Sequence, residues 1–497
     1  MSKKSIFYLV AVAIFALGFF LRAVEVISGN YVFLFDQGRD YLAVREIVLN
    51  HKLALIGPSS GLEGIFAGPF WYYLLAIPFV IWRGDPYGGQ VLMLFFGLMT
   101  LVLMLFLMKK IFNKEIALIA FFFSAISLPV VYQSTVIWNP QPVSFLILLT
   151  FYFLFRYFAS RRLFFLGLSF FTSALMYNFE VTVSLAFILY LFLFLLLIDR
   201  EERLKGYLTS LSALILGYSP AILFDLRHQF LQTRALFDFF SGHSGRGQNP
   251  LRFSRSIQLD HLRSFWSNLT STFNLSELSL IVFLLLVAFL SLWLLSQNLL
   301  RKEQKRFFLY CFFFPVATFL FYVFFPNPIW SWYLTHLHFV YIIIASVVIY
   351  FAIKKLTVLR LIYVLFLLLM ISASFKNLKG RYLHDFFDPR GTAGIKSKME
   401  AIDYVYQQRG SCDFNLLVFT PPIYDYPYEY LLHWYALPKY DCLPGEEPKG
   451  EVTLLIEPDI YQPWTYQGWL ETVIKKGEVV KERKFDSGFI IQERLIK

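Results

Sequence analysis

Charge is scarce in this chain: 16% of its 497 residues are Asp, Glu, Lys or Arg, against 57% hydrophobic and 20% aromatic. With a mean hydropathy of +0.57, that balance excludes an ordinary soluble domain, in which about 25% of residues are charged. Cysteine is nearly missing, at three residues, too few for a disulfide scaffold or a thiolate cluster. There is no Walker loop, no dinucleotide glycine pattern and no serine-centred nucleophile elbow. His336 and His338 lack the i, i+4 spacing of a helical zinc pair and have no neighbouring carboxylate. No cofactor is firmly implied, and the motifs do not support a divalent metal.

What the chain does hold is a succession of apolar runs. Lys3 and Lys4 precede residues 6–24, which are long enough to cross a bilayer and lack the short core and cleavage site of a signal peptide. Further runs fall at 90–108, 115–131, 142–158, 163–177, 181–198, 207–224, 278–295, 307–325, 337–353 and 358–372. The expectation is a mostly α, polytopic membrane protein with about eleven spans. The net charge of +11 is dispersed in short clusters between runs, which argues for topology and against nucleic acid. Those clusters include Lys109, Lys110 and Lys114; Arg156, Arg161 and Arg162; Arg301, Lys302, Lys305 and Arg306; Lys354, Lys355 and Arg360. If the short apolar piece Phe70–Ile81 lies along the surface instead of crossing, every cluster falls on the side of Lys3 and Lys4, as the positive-inside rule requires. The N-terminus is then cytoplasmic, the protein sits in the plasma membrane, and the Asp36 loop, the 136–141 turn, the 225–277 loop and the C-terminal tail face outward.

Residues 1–374 make up this transmembrane unit. From 375 to 497 the composition becomes that of a small extracytoplasmic α/β domain, with a helix at 401–408 and strands at 415–419, 452–456 and 488–492. Cys412 and Cys442 both lie there, where a disulfide is chemically allowed.

Polar residues concentrate in the first outer loop, which opens FDQGRDYLAVREIVLN and ends IFAGPFWYY. It carries Asp36, Arg39, Asp40, Arg45, Glu46 and Glu63, and charges beside a bilayer are costly unless they serve a function. Tyr41, Val44, Ile47 and Val48 recur on one helical face, and Gly57 to Gly61 make a turn before Gly68-Pro69 introduces an aromatic helix. The loop is thus two surface-lying helices. A plain alternative for Asp36 is a helix N-cap, which leaves Arg39, Asp40 and the aromatic wall unexplained.

A single first span, an outer loop opening on an aspartate beside a helix, a Pro-aromatic segment and paired helices joined by basic turns together resemble the GT-C glycosyltransferases. More narrowly they resemble family 39, the protein O-mannosyltransferase and aminoarabinose transferase type, over residues 6–372. The resemblance places the family's catalytic aspartate on Asp36. The family's acidic pair reads Asp36-Gln37 here, so Asp40 is the nearest second carboxylate. The Pro-Pro-Leu-aromatic segment reads Ala67-Gly68-Pro69-Phe70-Trp71-Tyr72-Tyr73 with no preceding lysine. The second outer turn carries Trp138-Asn139-Pro140 where relatives often have Asp, so a two-carboxylate metal site is not supported. Tyr333, in WSWYLTHLHF, resembles an aromatic residue of the family at the same stage. The implied activity is inverting transfer of a sugar from a polyprenyl-phosphate donor to a hydroxyl of a lipid, glycan or protein acceptor at the outer face.

The chemistry is consistent with those residues. A sugar on a lipid phosphate already has a good leaving group, so transfer needs one base for the acceptor proton and fixed positive charge for the released phosphate. Asp36 is the candidate base. Arg39, Arg45, Arg227, His228 and Arg234 are the candidate phosphate ligands, or else meet lipid head groups. Tyr72, Tyr73 and Trp138 can line a sugar site, with Asn139 beside them. Glu180, at a later outer hairpin, either faces the same cavity or caps a helix. The alternative class, a transporter or lipid-sugar flippase, should show internal repeats and charge at the bilayer midplane; neither is evident.

Single cysteines at Ser60 and Ser244, in a background without the native three, should react with an impermeant thiol reagent in intact cells. Labelling only after lysis would overturn the charge-derived topology.

Overall fold

In an apolar solvent a backbone N–H or C=O must find its partner within its own segment, so apolar runs fold as helices. The computed structural model describes all residues except 1, 199–202, 242–254, 276, 324, 326–327, 356, 411–412, 422–423, 460, 476 and 497. Its helices begin with α1 (Lys3–Arg22), α2 (Val24–Ser28), α3 (Phe35–Leu49), α4 (Phe70–Ile81), α5 (Tyr87–Ile111), α6 (Lys114–Ile126), α7 (Leu128–Tyr132), α8 (Val143–Ser160) and α9 (Leu163–Leu175). They continue with α10 (Val181–Ile198), α11 (Arg203–Gly217), α12 (Ser219–Arg227), α13 (Leu231–Ser241), α14 (Arg255–Phe273), α15 (Glu277–Ser296), α16 (Lys302–Val323), α17 (Leu337–Lys355) and α18 (Thr357–Gly380).

Every expected span is helical, but among the described residues only six helices are long and apolar enough to cross a membrane, or seven if one bent pair counts as a span. Several of the others are short or broken. Residues 207–224 form α11 and α12, whose axes meet at 66°, with Pro220 in the first turn of α12. Residues 115–131 split at Ser127, because Pro129 has no N–H to continue the ladder. The carbonyls freed at that break are taken by a buried arginine: Arg22 donates to Ser124 O (2.8 Å) and Ala125 O (2.9 Å). At 12 residues, α4 is about 18 Å long, well short of a bilayer core of about 30 Å.

The basic clusters gather at one end of the bundle. Lys109 and Lys114 sit over the Phe7 ring at 5.4 and 5.6 Å, and Gln304 donates to Ile111 O at 2.6 Å. The Asp36 loop is at the other end. Between 225 and 277, where a loop was expected, the chain instead forms α13 and α14. Residues 242–254, including Ser244, lie outside the described residues.

After α18 come α19 (Ile395–Arg409), β1 (Asn415–Phe419), α20 (Tyr426–Leu431), β2 (Gly450–Ile456), β3 (Glu478–Lys484) and β4 (Ile490–Ile496). The sheet order is β1-β2-β4-β3, with β1 and β2 parallel and the other pairs antiparallel. Sequence periodicity misses β3 because all of its positions are exposed, so polar residues alternate with nothing. Cys442 is disulfide-bonded and Cys311 is free; Cys412 lies outside the described residues.

This C-terminal segment is held against the start of the chain. Glu25, 1% exposed, accepts from Arg381 (2.6 Å) and Arg390 (2.9 Å), and Phe33 N–H donates to Ala393 O at 2.9 Å. The Tyr430 hydroxyl donates to Gly84 O, and its ring lies 5.1 Å from that of Tyr41. On α3 the decisive position is Gly38, where a Cβ would run into the backbone of Tyr426 and Pro427. Backbone cannot rotate aside as a side chain can, so Gly38→Ala must part α3 from α20. Although alanine is the better helix former by about 1 kcal/mol, overpacking of this kind costs about 1–3 kcal/mol. The variant should unfold at a lower temperature in detergent; an unchanged or raised Tm would show that α20 does not clamp α3.

Candidate functional site

The site is built on the first turn of α3. Gln37 caps this helix, its Oε1 accepting from Leu34 N–H at 2.8 Å. Asp36 is therefore not the N-cap but stands inside the first turn, where its negative charge suits the helix dipole. One turn on, Arg39 donates through Nη1 to Asp36 Oδ1 (2.9 Å) and through Nη2 and Nε to Asp40 Oδ1 (2.8 and 2.9 Å). The other oxygen of Asp40 accepts from Trp71 Nε1 at 2.7 Å. The two acids are thus unlike. Asp40 is 1% exposed with both oxygens occupied, whereas Asp36 is 35% exposed. Burial pushes the Asp40 carboxyl up to about 6 despite the opposing pull of Arg39 and the Trp71 N–H. The guanidinium of Arg39 also lies over the Phe35 ring at 5.6 Å, and the Tyr72 phenol is an electrostatic neighbour of it.

Three outer turns are stitched to this helix. Gln37 Nε2 donates to Ile137 O (2.7 Å) and Asn139 Nδ2 to Phe179 O (2.6 Å). The circle closes through the Phe179 ring, 6.5 Å from that of Trp71. Gln37 and Asn139 are thus fasteners between turns. Sequence reasoning missed the positioning roles of Gln37 and Trp71, which rest on contacts spanning 100 and 31 residues.

The remaining candidates divide. Trp138 packs edge-on to Trp332 at 4.9 Å. Tyr333, 2% exposed, brings its hydroxyl against Gly61 of the first loop. Both belong to this end of the bundle. Tyr73 is already committed, its hydroxyl donating to Ala54 O (2.8 Å) and accepting from Ala54 N–H (3.0 Å). Arg45, nine residues beyond Asp36 and so about 13 Å along the helix, faces Glu429 and His433 instead. His228 stacks on Phe224 at 4.0 Å, Arg234 donates to Gln229 O, and Arg227 is exposed. Their stretch meets the first loop through Gln232, which accepts from Phe66 N–H at 2.9 Å; of the five candidate cations, Arg39 is the one that pairs with the two carboxylates among the described residues. Among the described residues no group of three or more His, Cys, Asp or Glu is placed to hold a metal ion. His338 is instead hydrogen-bonded by Thr272 (2.7 Å) and Asn268 (3.2 Å).

No family model and no curated protein matches the chain; solved structures do. ArnT from Cupriavidus metallidurans bound to undecaprenyl phosphate aligns over 98% of this chain and 97% of its own, with TM-score 0.58 and 12% identity. The chain has the GT-C fold. The apo form of the same enzyme gives TM-score 0.59 at 13% identity over the same shares. The Archaeoglobus fulgidus oligosaccharyltransferase in complex with Zn and sulfate gives 0.54 at 15% identity, over 94% of this chain and 61% of the other. At such identities the likeness is one of fold, and it accords with an integral membrane protein.

The burial of Asp40 makes a pH prediction. An aspartate in the unfolded chain titrates near 3.9, and Asp40 in the folded protein near 6. Between those values the folded state holds the proton that the unfolded state has lost, so this group's contribution to stability falls as pH rises from about 4 to about 6 and is flat above. Relative to Asp40→Asn, the wild type should lose about 2–3 kcal/mol across that window, read from thermal unfolding of both proteins in detergent. A difference that does not change with pH would contradict the assignment.

Proposed function

We propose that this protein is a membrane glycosyltransferase that transfers a sugar from a polyprenyl-phosphate donor to an acceptor hydroxyl at the outer face, with inversion and with Asp36 as the base. The observation that carries the reading is the asymmetry of the two carboxylates. Asp40 has both oxygens engaged and is sealed by Trp71, whereas Asp36 keeps an exposed oxygen while Arg39 holds the other. A base must reach the acceptor proton, and of the two only Asp36 can. In this reading Asp40 positions Arg39, and the guanidinium supplies the charge that the released phosphate needs. The GT-C neighbours support sugar transfer from a lipid-linked donor, and one of them was solved with undecaprenyl phosphate. Neither lends support to a transporter. Residues 375–497 act as an outer domain that clamps α3 through α20, and acceptors are drawn from lipid, glycan or protein.

The test is a screen of radiolabelled undecaprenyl-phosphate-linked hexoses and pentoses with purified protein and membrane extract, followed by Asp36→Asn on whichever donor is consumed. Loss of a general base lowers turnover by about 10² to 10⁴, and folding and donor binding should persist. Near-normal transfer by Asp36→Asn would sink the assignment of the base, and no transfer from any donor by the wild type would sink the function.

A further inference from the structure

Glu180 follows Phe179, the residue whose carbonyl holds Asn139 and whose ring meets Trp71, so it is built into the same ring of outer turns as Asp40. It is 7% exposed, yet it forms no ion pair among the described residues. One oxygen, Oε1, accepts from Thr182 N–H (3.3 Å) and Thr182 Oγ1 (3.1 Å). The other, Oε2, has no hydrogen-bond partner among the described residues. Its ionisable neighbours are the phenols of Tyr322 and Tyr333, whose rings stack nearly parallel with centroids 6.2 Å apart. Burial raises its carboxyl to about 7.

A buried carboxylate with no cation is expensive, and proteins ordinarily avoid it by pairing or replacement. Capping α10 does not account for it, since a serine, threonine or asparagine caps a helix as well without burying a charge. What is left over is one acceptor oxygen at the end of the bundle that carries Asp36, near the phenols of Tyr322 and Tyr333, the second of which rests its hydroxyl on Gly61 of the first loop. The chemistry of that corner selects its ligand. A phosphate would be repelled by the carboxylate, and an apolar lipid tail would leave it unpaired. A carbohydrate supplies hydroxyl donors for the oxygen without bringing a second negative charge.

We propose that Glu180 is the hydrogen-bond acceptor of a sugar-binding subsite, taking a hydroxyl of the transferred sugar or of a glycan acceptor. This rests on the transferase reading above and adds to it the residue that tells a sugar from the lipid phosphate carrying it.

The experiment uses the full-length protein and the undecaprenyl-phosphate sugar that the wild type consumes in the screen. Glu180→Gln keeps the shape and the Thr182 contact but removes the charge; a hydrogen bond to a charged group contributes enough that its KM for one sugar substrate should rise about tenfold to a hundredfold. The kcat should stay within about threefold. A rise in KM for the donor places the hydroxyl on the transferred sugar, and a rise for the acceptor places it there. Undecaprenyl phosphate without sugar, used as an inhibitor, should bind wild type and variant equally. Thr182→Val, which disturbs the cap but not Oε2, should lower Tm and leave both KM values unchanged. The proposal is overturned if Glu180→Gln leaves both KM values unchanged, if it weakens undecaprenyl phosphate as much as the sugar donor, or if Thr182→Val reproduces its effect. Any of these results with active wild type leaves the transferase reading standing, whereas a wild type inactive on every donor removes both.

Discussion

A guanidinium held between two carboxylates on one helical turn is the interaction on which the outer end of this molecule depends. Three charged residues within five positions, beside an apolar bundle, would be unfavourable if each were desolvated alone. Arg39 makes them a unit in which one acid is buried and fixed while the other remains reachable. The asymmetry comes from Trp71: its indole N–H occupies the last free oxygen of Asp40, and its ring seals the site from the side of α4.

The same turn is also where the chain's distant parts are joined. Gln37 and Asn139 tie successive outer turns through their amides, and α20 lies so close at Gly38 that no side chain fits between. A helix at the membrane surface has few partners of its own, because lipid gives no hydrophobic reward for packing. Here rigidity is supplied by polar side chains bonded to backbone carbonyls, which are costly to leave unsatisfied at that depth. Arg22 at the Ser127 break and Glu25 with its two arginines follow the same rule. In each case the charge is buried because a backbone carbonyl or an opposite charge requires a partner.

The composition and hydropathy pattern of the chain determined that it is a helical membrane protein, and the basic clusters determined which connections share an end, since both follow from local transfer energetics. Asp36, Arg39 and Asp40 were legible as a unit because they lie within one turn, and the fold they suggested is the one found. The number of full spans was not legible: a proline at 129 or 220 breaks a run that hydropathy reads as continuous. Nor were α13 and α14, whose polar faces resemble loop composition. The parts played by Gln37, Trp71, Asn139 and Arg45 depended on which residues, far apart in sequence, the bundle brings together. Only the tertiary structure decided that Asp40 is sealed while Asp36 is open, because burial and hydrogen-bond occupancy are properties of packed neighbours, and two aspartates four residues apart carry no local mark of which will be covered.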